Sequence, residues 1–475
     1  MNRIWLMFCG AAVFTLLTLR TMPVAAADVT PAPVVQRFHD IFKELVEINT
    51  TNSSGNCTVA AQAMSRHLRR AGYAESDMQL IAPPDGPSKG NLVVRLRGTG
   101  ERRPLLLLAH LDVVEARRED WARDPFKLVE ENGIYYGRGT ADDKSDAASH
   151  VSNMIRYKEE GLKPKRDLIM ALTCDEEIVP SPFNGVAYLL KNHRPLIDAE
   201  FALNEGGGGD LDKNERLYAY EFAVGEKVYA THEMEVTSPG GHSAVPERDN
   251  AIYRLAAGLE RLSKFDFPIH LNDTTRAYFD RMSKLDSVKD DAADMHALLA
   301  DPPDAAALER LYAKAPGYNA VVRTTCTATM LDAGHAENAL PQRARAKVNC
   351  RILPGESVDM VRKTLVDVLA DDKITVRQTA LDVVSQPPPL SPVVLRAVES
   401  VTAELWPGAI VIPSLLPATT DGKYLNNVGI WTYGFGAASA DGENVGVHGL
   451  NEHVRVKALD EHQEFLYRLG KKLAL

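Results

Sequence analysis

The sequence is short of the features that mark several protein classes. It has five cysteines in 475 residues and no Cys-x-x-Cys pair. A dithiol redox motif and a cysteine-knuckle metal site are therefore excluded. Positive charge is outnumbered: 54 basic side chains face 64 acidic ones, for a formal net charge of −10. A partner held through its phosphates needs a basic surface, so no nucleic-acid partner is expected. No internal repeat runs along the chain, and Pro387-Pro388-Pro389 is its one low-complexity tract, which excludes a solenoid or a fibrous array. Long apolar runs are also missing, apart from residues 4–19, and that run is short for a membrane span. It follows the basic start Met1-Asn2-Arg3 and precedes the small residues Val24-Ala25-Ala26-Ala27. Residues 1–27 therefore read as a cleaved secretory signal, predicting a secreted or periplasmic protein with no membrane contact after cleavage. Export would permit disulfides among Cys57, Cys174, Cys326 and Cys350, but spacing assigns none. Cys174 ends an apolar strand and reads as a buried free thiol.

The composition that remains, 45% hydrophobic and 25% charged, is that of a globular enzyme-sized protein. The length exceeds one ordinary core, so two domains are expected. Residues 104–115, Pro-Leu-Leu-Leu-Leu-Ala-His-Leu-Asp-Val-Val-Glu, organise the rest. Their unbroken apolar run predicts a strand buried on both faces, inside a parallel sheet. Helices are predicted over 33–49, 57–71 and the stretch through 157, and strands over 91–97, 167–173 and 201–203. A plain surface loop is predicted between 115 and 134. Composition shifts near Val224. From there to about 381 the order β-α-β-β-α-β predicts a small α/β sandwich of its own, interrupted by a helical, charged insertion over 265–318. The pattern then returns to helix, strand, strand and a final helix. The expected architecture is α/β: a mixed-sheet catalytic domain from 28–224 and 382–475, with a smaller α/β lid domain, 225–381, inserted in it.

Chemistry-bearing residues stand after the strands, where open α/β sheets collect them. His110 and Asp112 share a face at the first strand's end, and the carboxylate is placed to orient one ring nitrogen while the other binds a metal. Asp142 opens a helix after a glycine-rich turn. Asp175-Glu176-Glu177 ends a second buried strand, where three acids would repel one another without a cation. Glu205 precedes four glycines, and His448 lies in Val-His-Gly-Leu-Asn-Glu. Each alone admits a plainer reading: a satisfied histidine, a helix cap, a solvated acidic turn, a flexible loop. Together, His110, Asp142, Glu176, Glu177, Glu205 and His448 are a nitrogen and oxygen donor set suited to two zinc ions.

These motifs resemble the M20 metallopeptidases, of carboxypeptidase, aminoacylase and dipeptidase type. The resemblance runs through His110-Leu111-Asp112, Gly137-Arg138-Gly139 to Asp142-x-Lys144, Asp175-Glu176-Glu177, Asn204-Glu205-Gly206 and His448-Gly449-x-Asn451-Glu452. Lid markers follow in Gly240-Gly241-His242-Ser243, Asn338-x-x-Pro341 and Arg351-Ile352-Leu353-Pro354. It implies that Asp142 bridges two metals, with His110 and Glu205 on one, and Glu177 and His448 on the other. Cobalt or manganese could substitute for zinc. It implies Glu176 as general base, with Asp112 beside it and His242 stabilising the oxyanion from a dimer partner's lid. Arg351, Asn338 and Thr420 would meet the substrate, although Arg351 reads equally well as a strand arginine in a salt bridge. Two departures bear on pocket shape: Ser145 stands where glycine is usual, and Ile178-Val179-Pro180-Ser181-Pro182 is stiffer than expected. The expected activity is hydrolysis of amide bonds in small peptides. The alternatives are an N-acyl amino acid amidohydrolase, which the Glu205-Gly206-Gly207 segment favours, or a non-catalytic zinc- or peptide-binding relative, which intact Glu176 disfavours. A homodimer through the lid is expected.

Overall fold

A computed structural model describes residues 30–440 and 443–475, so the signal reading of residues 1–27 lies outside the described residues. Helix α1 (Ala32–Glu47) buries Phe38, Ile41, Phe42, Leu45 and Val46, an apolar face at helical spacing. Helix α2 (Cys57–Arg70) starts at Asn56, whose side chain accepts from Val59 N. Strands β1 (Met78–Ile81), β2 (Asn91–Leu96) and β3 (Leu105–His110) follow, then a short hairpin of β4 (Val129–Glu131) and β5 (Ile134–Tyr136). That hairpin corrects the plain loop expected between 115 and 134: Asn132 and Gly133, both with positive φ, make the tight turn. Next come α3 (Lys144–Glu159), β6 (Leu168–Thr173), α4 (Gly185–Ile197), β7 (Phe201–Glu205), β8 (Gly207–Leu211) and β9 (Leu217–Glu226).

The middle of the chain forms β10 (Val228–Thr237), β11 (Gly241–His242), α5 (Ala251–Ser263), α6 (Asp273–Met282), α7 (Ala292–Leu298), α8 (Ala305–Lys314) and α9 (Pro316–Val322). After them stand β12 (Thr325–Ala333), β13 (Ala339–Leu340), β14 (Arg343–Ile352), α10 (Val358–Leu369) and β15 (Thr375–Leu381). The end of the chain supplies α11 (Pro392–Leu405), β16 (Ile410–Leu416), α12 (Gly422–Asn426), β17 (Trp431–Phe435), β18 (Ser439–Ala440), β19 (His453–Arg455) and α13 (Val456–Ala474).

Two sheets organise these elements. The larger has ten strands in the order β1-β2-β6-β3-β7-β17-β9-β8-β18, with β16 beside β9. Its centre, β6-β3-β7-β17, is parallel, while β2 and β9 run antiparallel to their central neighbours. Every residue of β3 and β6 is buried, because helices cover both faces. Helices α1, α2, α3, α11 and α13 pack on one face, and α4 and α12 on the other. The smaller sheet, β12-β14-β10-β15, is antiparallel and shares a separate core with α5 and α10. Helices α6 to α9 are not part of that core. They pack through Phe279, Leu308 and Leu311 against Ala219 of β9 and Ile412 of β16, in the larger sheet.

The glycine run after Glu205 is a strand, β8, paired with β9, and not a loop. The thiol expectation for Cys174 is also overturned. Cys174 is bonded to Cys57, and Cys326 to Cys350. A buried position in an apolar strand argues only for low polarity, and the partner on α2 is 117 residues away in sequence. Among the described residues, no helix is long and apolar enough to cross a membrane.

Candidate active site

The parallel strands of the larger sheet end along one edge, and their carboxyl termini carry the acids and histidines. His110 is the last residue of β3. Its Nδ1 bonds the backbone carbonyl of Asp112 at 2.9 Å, while the Asp112 carboxylate stands 3.6 Å away. This differs from the expected carboxylate–histidine pairing. The Asp112 carboxylate instead accepts from the backbone N–H groups of Glu176 and Glu177, at 3.2 and 3.1 Å. Asp112 therefore holds the loop after β6 in place, and the main chain fixes the His110 ring.

The free ring nitrogen, His110 Nε2, faces Asp142 Oδ1 at 2.9 Å and Glu205 Oε2 at 3.7 Å. On the other side of Asp142, Oδ2 meets His448 Nε2 at 3.2 Å, and His448 Nε2 meets Glu177 Oε2 at 2.9 Å. Two triads result, His110-Asp142-Glu205 and Asp142-Glu177-His448, and the donor atoms within each lie within 4.8 Å of one another. Asp142 serves both, one oxygen to each. A carboxylate-rich set with one histidine per triad suits zinc or a similar divalent ion. The electrostatics fit as well. Burial lifts Glu205 to about 7, against the pull of His110. Burial alone would lower His110, but Glu205, Asp112 and Asp142 outweigh it and raise it well above the usual range. Asp142 and Glu177 raise His448 to about 10. Glu177 Oε1 is buried with no hydrogen-bond partner among the described residues. These groups together are short of positive charge, which a cation would supply.

Asp142 sits on a turn that Glu452 ties down. One Glu452 oxygen accepts from Arg138 Nη1 at 2.6 Å and Gly139 N at 3.0 Å, and the other from Ala141 N at 2.8 Å and Asp142 N at 3.0 Å. Four donors on one buried carboxylate leave the turn little freedom. Of the three consecutive acids, Asp175 turns away, bonded to Lys89 Nζ at 2.5 Å and Ser181 Oγ at 2.7 Å. Only Glu176 and Glu177 line the cleft, so the expected mutual repulsion is between two groups, not three. Burial pushes Glu176 well above the usual carboxylate range, and Glu205 adds to it.

The cleft, about 570 Å³, is lined by Asp142, Glu176, Glu177, Glu205 and His448 together with Tyr229, Arg351 and Thr420. Arg351 lies with its guanidinium 4.9 Å from the Tyr229 ring centre and has no ion-pair partner among the described residues. The alternative expectation of a salt-bridged strand arginine is therefore not what is found. Thr420 lines the cleft, but its hydroxyl donates to Glu226 Oε2 and accepts from Asn204 Nδ2 and Gly422 N. A hydroxyl has one proton and two lone pairs, so Thr420 has no hydrogen bond left for a substrate. His242 and Asn338 are elsewhere. They are exposed neighbours on the β11–β13 ribbon, where Asn338 O accepts from Ser243 N, and neither lines the cleft. Sequence reasoning gave no role to Glu452, and it placed Asp421 and Lys423 only in a stretch resembling a family loop near the substrate; here Asp421 Oδ1 accepts from Asn184 Nδ2 at 2.6 Å and Lys423 Nζ stands 3.0 Å from Asp382. The first lay in a quoted motif, and the other two in a loop whose hydrogen bonding no pattern discloses.

A family model described as Peptidase family M20/M25/M40 matches residues 106–472. The chain belongs to this family. Its curated relatives include the human (Homo sapiens) N-fatty-acyl-amino acid synthase/hydrolase PM20D1, 29% identical over 77% of this chain and 73% of that protein. A probable carboxypeptidase S-like 2 from Dictyostelium discoideum is 27% identical over 80% of this chain and 74% of its own length. Among solved structures, an M20 family metallo-carboxypeptidase, Sso-CP2 from Sulfolobus solfataricus, superposes with a TM-score of 0.67 at 17% identity. That superposition covers 92% of this chain and 99% of the other, and it shows the shared fold. The M20 chain is thus an enzyme that hydrolyses amide bonds, built on a mixed α/β fold.

Proposed function

We propose that this M20 enzyme is an exported, two-zinc hydrolase of amides whose leaving part is an amino acid with a free carboxylate. The observation that carries this is Arg351. It is a half-buried guanidinium in no close ion pair among the described residues, attracted by Asp382 only at longer range, in the same cleft as acids of both candidate metal-binding triads. Its planar fork matches a carboxylate in two hydrogen bonds. His110, Asp142 and Glu205 would hold one ion, and Asp142, Glu177 and His448 the other. Such ions, zinc or its cobalt and manganese substitutes, would polarise the scissile carbonyl and acidify water. Glu176, next to a ligand but outside both triads, takes the proton of the attacking water and returns it to the leaving nitrogen. His242, exposed and away from this chain's cleft, serves the cleft of a second subunit and steadies the developing oxyanion there. Two disulfides and residues 1–27 support export to an oxidising compartment.

Short peptides and N-acyl amino acids both present the required carboxylate, and the name of the human relative favours the second. Arg351→Lys keeps the charge but loses the fork. With zinc present, kcat/KM for free-carboxylate substrates is expected to fall about tenfold, with little change for the amidated counterparts. Equal losses on both would sink the clamp.

A further inference from the structure

The chain passes from the larger sheet to the smaller between Glu226, the last residue of β9, and Val228, the first of β10. It leaves the smaller sheet at Asp382, one residue after β15. One buried stretch, Thr420-Asp421-Gly422-Lys423, holds both crossings. Thr420 N and Oγ1 donate to Glu226 Oε2 at 2.6 and 3.0 Å. Lys423 Nζ meets Asp382 Oδ2 at 3.0 Å, and both side chains are almost fully buried. The same stretch reaches the loop that carries the paired glutamates. Asp421 accepts from Asn184 Nδ2 at 2.6 Å and from Thr173 Oγ1, at the end of β6, at 3.4 Å. Asn184 Nδ2 also donates to Asp175 O at 3.2 Å, one residue before Glu176.

On the other side, Asp382 N donates to Tyr229 O at 3.0 Å, and Tyr229 is the register partner of Arg351 across β10 and β14. One line of contacts thus runs from the Glu176 loop through Asp421, Lys423 and Asp382 to the strand that carries Arg351. A buried pair of this kind adds little net stability, but parting it strands a charge, so the two groups stay together. Resting on the amide-hydrolase reading above, we infer that Lys423 and Asp382 are positioning residues. Their ion pair sets how the smaller sheet sits on the larger, and so the span from Arg351 to Glu176 and the triads. A substrate must satisfy both ends of that span at once, with its carboxylate on Arg351 and its scissile carbonyl at the triads. A shift of about 1 Å at one end misplaces the other, which is costly to catalysis.

The test compares the zinc-loaded enzyme on a dipeptide, an N-acetyl amino acid and the amidated counterpart of each. Asp382→Asn and Lys423→Gln both break the pair. Each is expected to raise KM for the free-carboxylate substrates about tenfold, with KM for the amidated ones and zinc content near wild type. The double variant should lose no more than the worse single, because both remove one interaction. Asp382 also lines the cleft and attracts Arg351 at longer range, so Lys423 decides. A wild-type KM in folded Lys423→Gln overturns the proposal, as do additive losses in the double variant or equal losses on both substrate classes. Melting curves identify a variant that fails to fold, and a distance measurement then stands beside the kinetics. Nitroxides on Met360→Cys in α10 and Val393→Cys in α11, both exposed positions, report the separation of the two sheets without turnover. Their distance distribution is expected to broaden in either variant, and an unchanged distribution overturns the proposal. Absence of all hydrolysis in the wild type would overturn the function instead, and the distances alone then judge the ion pair.

Discussion

Glu176 and Glu177 are adjacent, identical in type, and both held at the backbone by Asp112. What separates them is where their carboxylates go. Glu177 reaches His448 Nε2 at 2.9 Å and belongs to a triad, whereas Glu176 belongs to none. Substitution should tell them apart. Glu176→Gln keeps the shape but cannot take a proton, so kcat is expected to fall ~10²-fold or more. Metal analysis should still find about two zinc ions per chain. Glu177→Gln should leave about one. Metal loss in Glu176→Gln with full occupancy in Glu177→Gln would reverse the assignment. The identities of these residues were legible in the sequence. That Asp175, their neighbour, pairs with Lys89 was not, because Lys89 is 86 positions earlier and only folding brings it there.

At the scale of elements, β6 and α2 are stapled together immediately before the paired glutamates. The Cys57–Cys174 bond joins the first turn of α2 to the residue after β6, closing a span of 117 residues. A cross-link of that span restricts the unfolded chain, and its removal typically costs about 2–5 kcal/mol. Cys57→Ser with Cys174→Ser is therefore expected to lower the denaturation midpoint and weaken metal retention, measured by unfolding and by chelator competition. A variant with unchanged stability and metal affinity would show that the bond neither supports the fold nor anchors the ligand loop. The strands and helices themselves were readable from apolar spacing, as in α1 and β3. The β4–β5 hairpin, read as loop, was missed, and so was β8. Gly207 to Gly209 offer no side-chain pattern, and their strand forms because β9 provides backbone partners.

For the whole molecule, the proposed dimer, in which His242 serves the partner's cleft, has a direct test. His242 stands on an exposed ribbon away from the triads of its own chain, beside a sheet with its own core. Glu176→Gln and His242→Ala proteins should each be nearly inactive. Mixed in equal amounts and allowed to exchange subunits, they should recover about a quarter of wild-type activity, since half the dimers are mixed and each has one intact site. No recovery, with exchange shown independently by mass, would remove His242 from catalysis in trans.

The sequence by itself determined the order of the candidate metal-binding residues, the buried parallel strands that present them, and the family. Those features are local: an apolar run, then a polar residue at its end, repeated at β3, β6 and β7. Only the tertiary structure decided how the residues divide into two triads around Asp142 and which cysteines are joined. It also decided that Arg351 shares a cleft with the acids of those triads while Thr420 is occupied by Glu226. Each of these is a contact between positions far apart in the chain. The side-chain types are compatible with several partners, and the packing of the two sheets selects one.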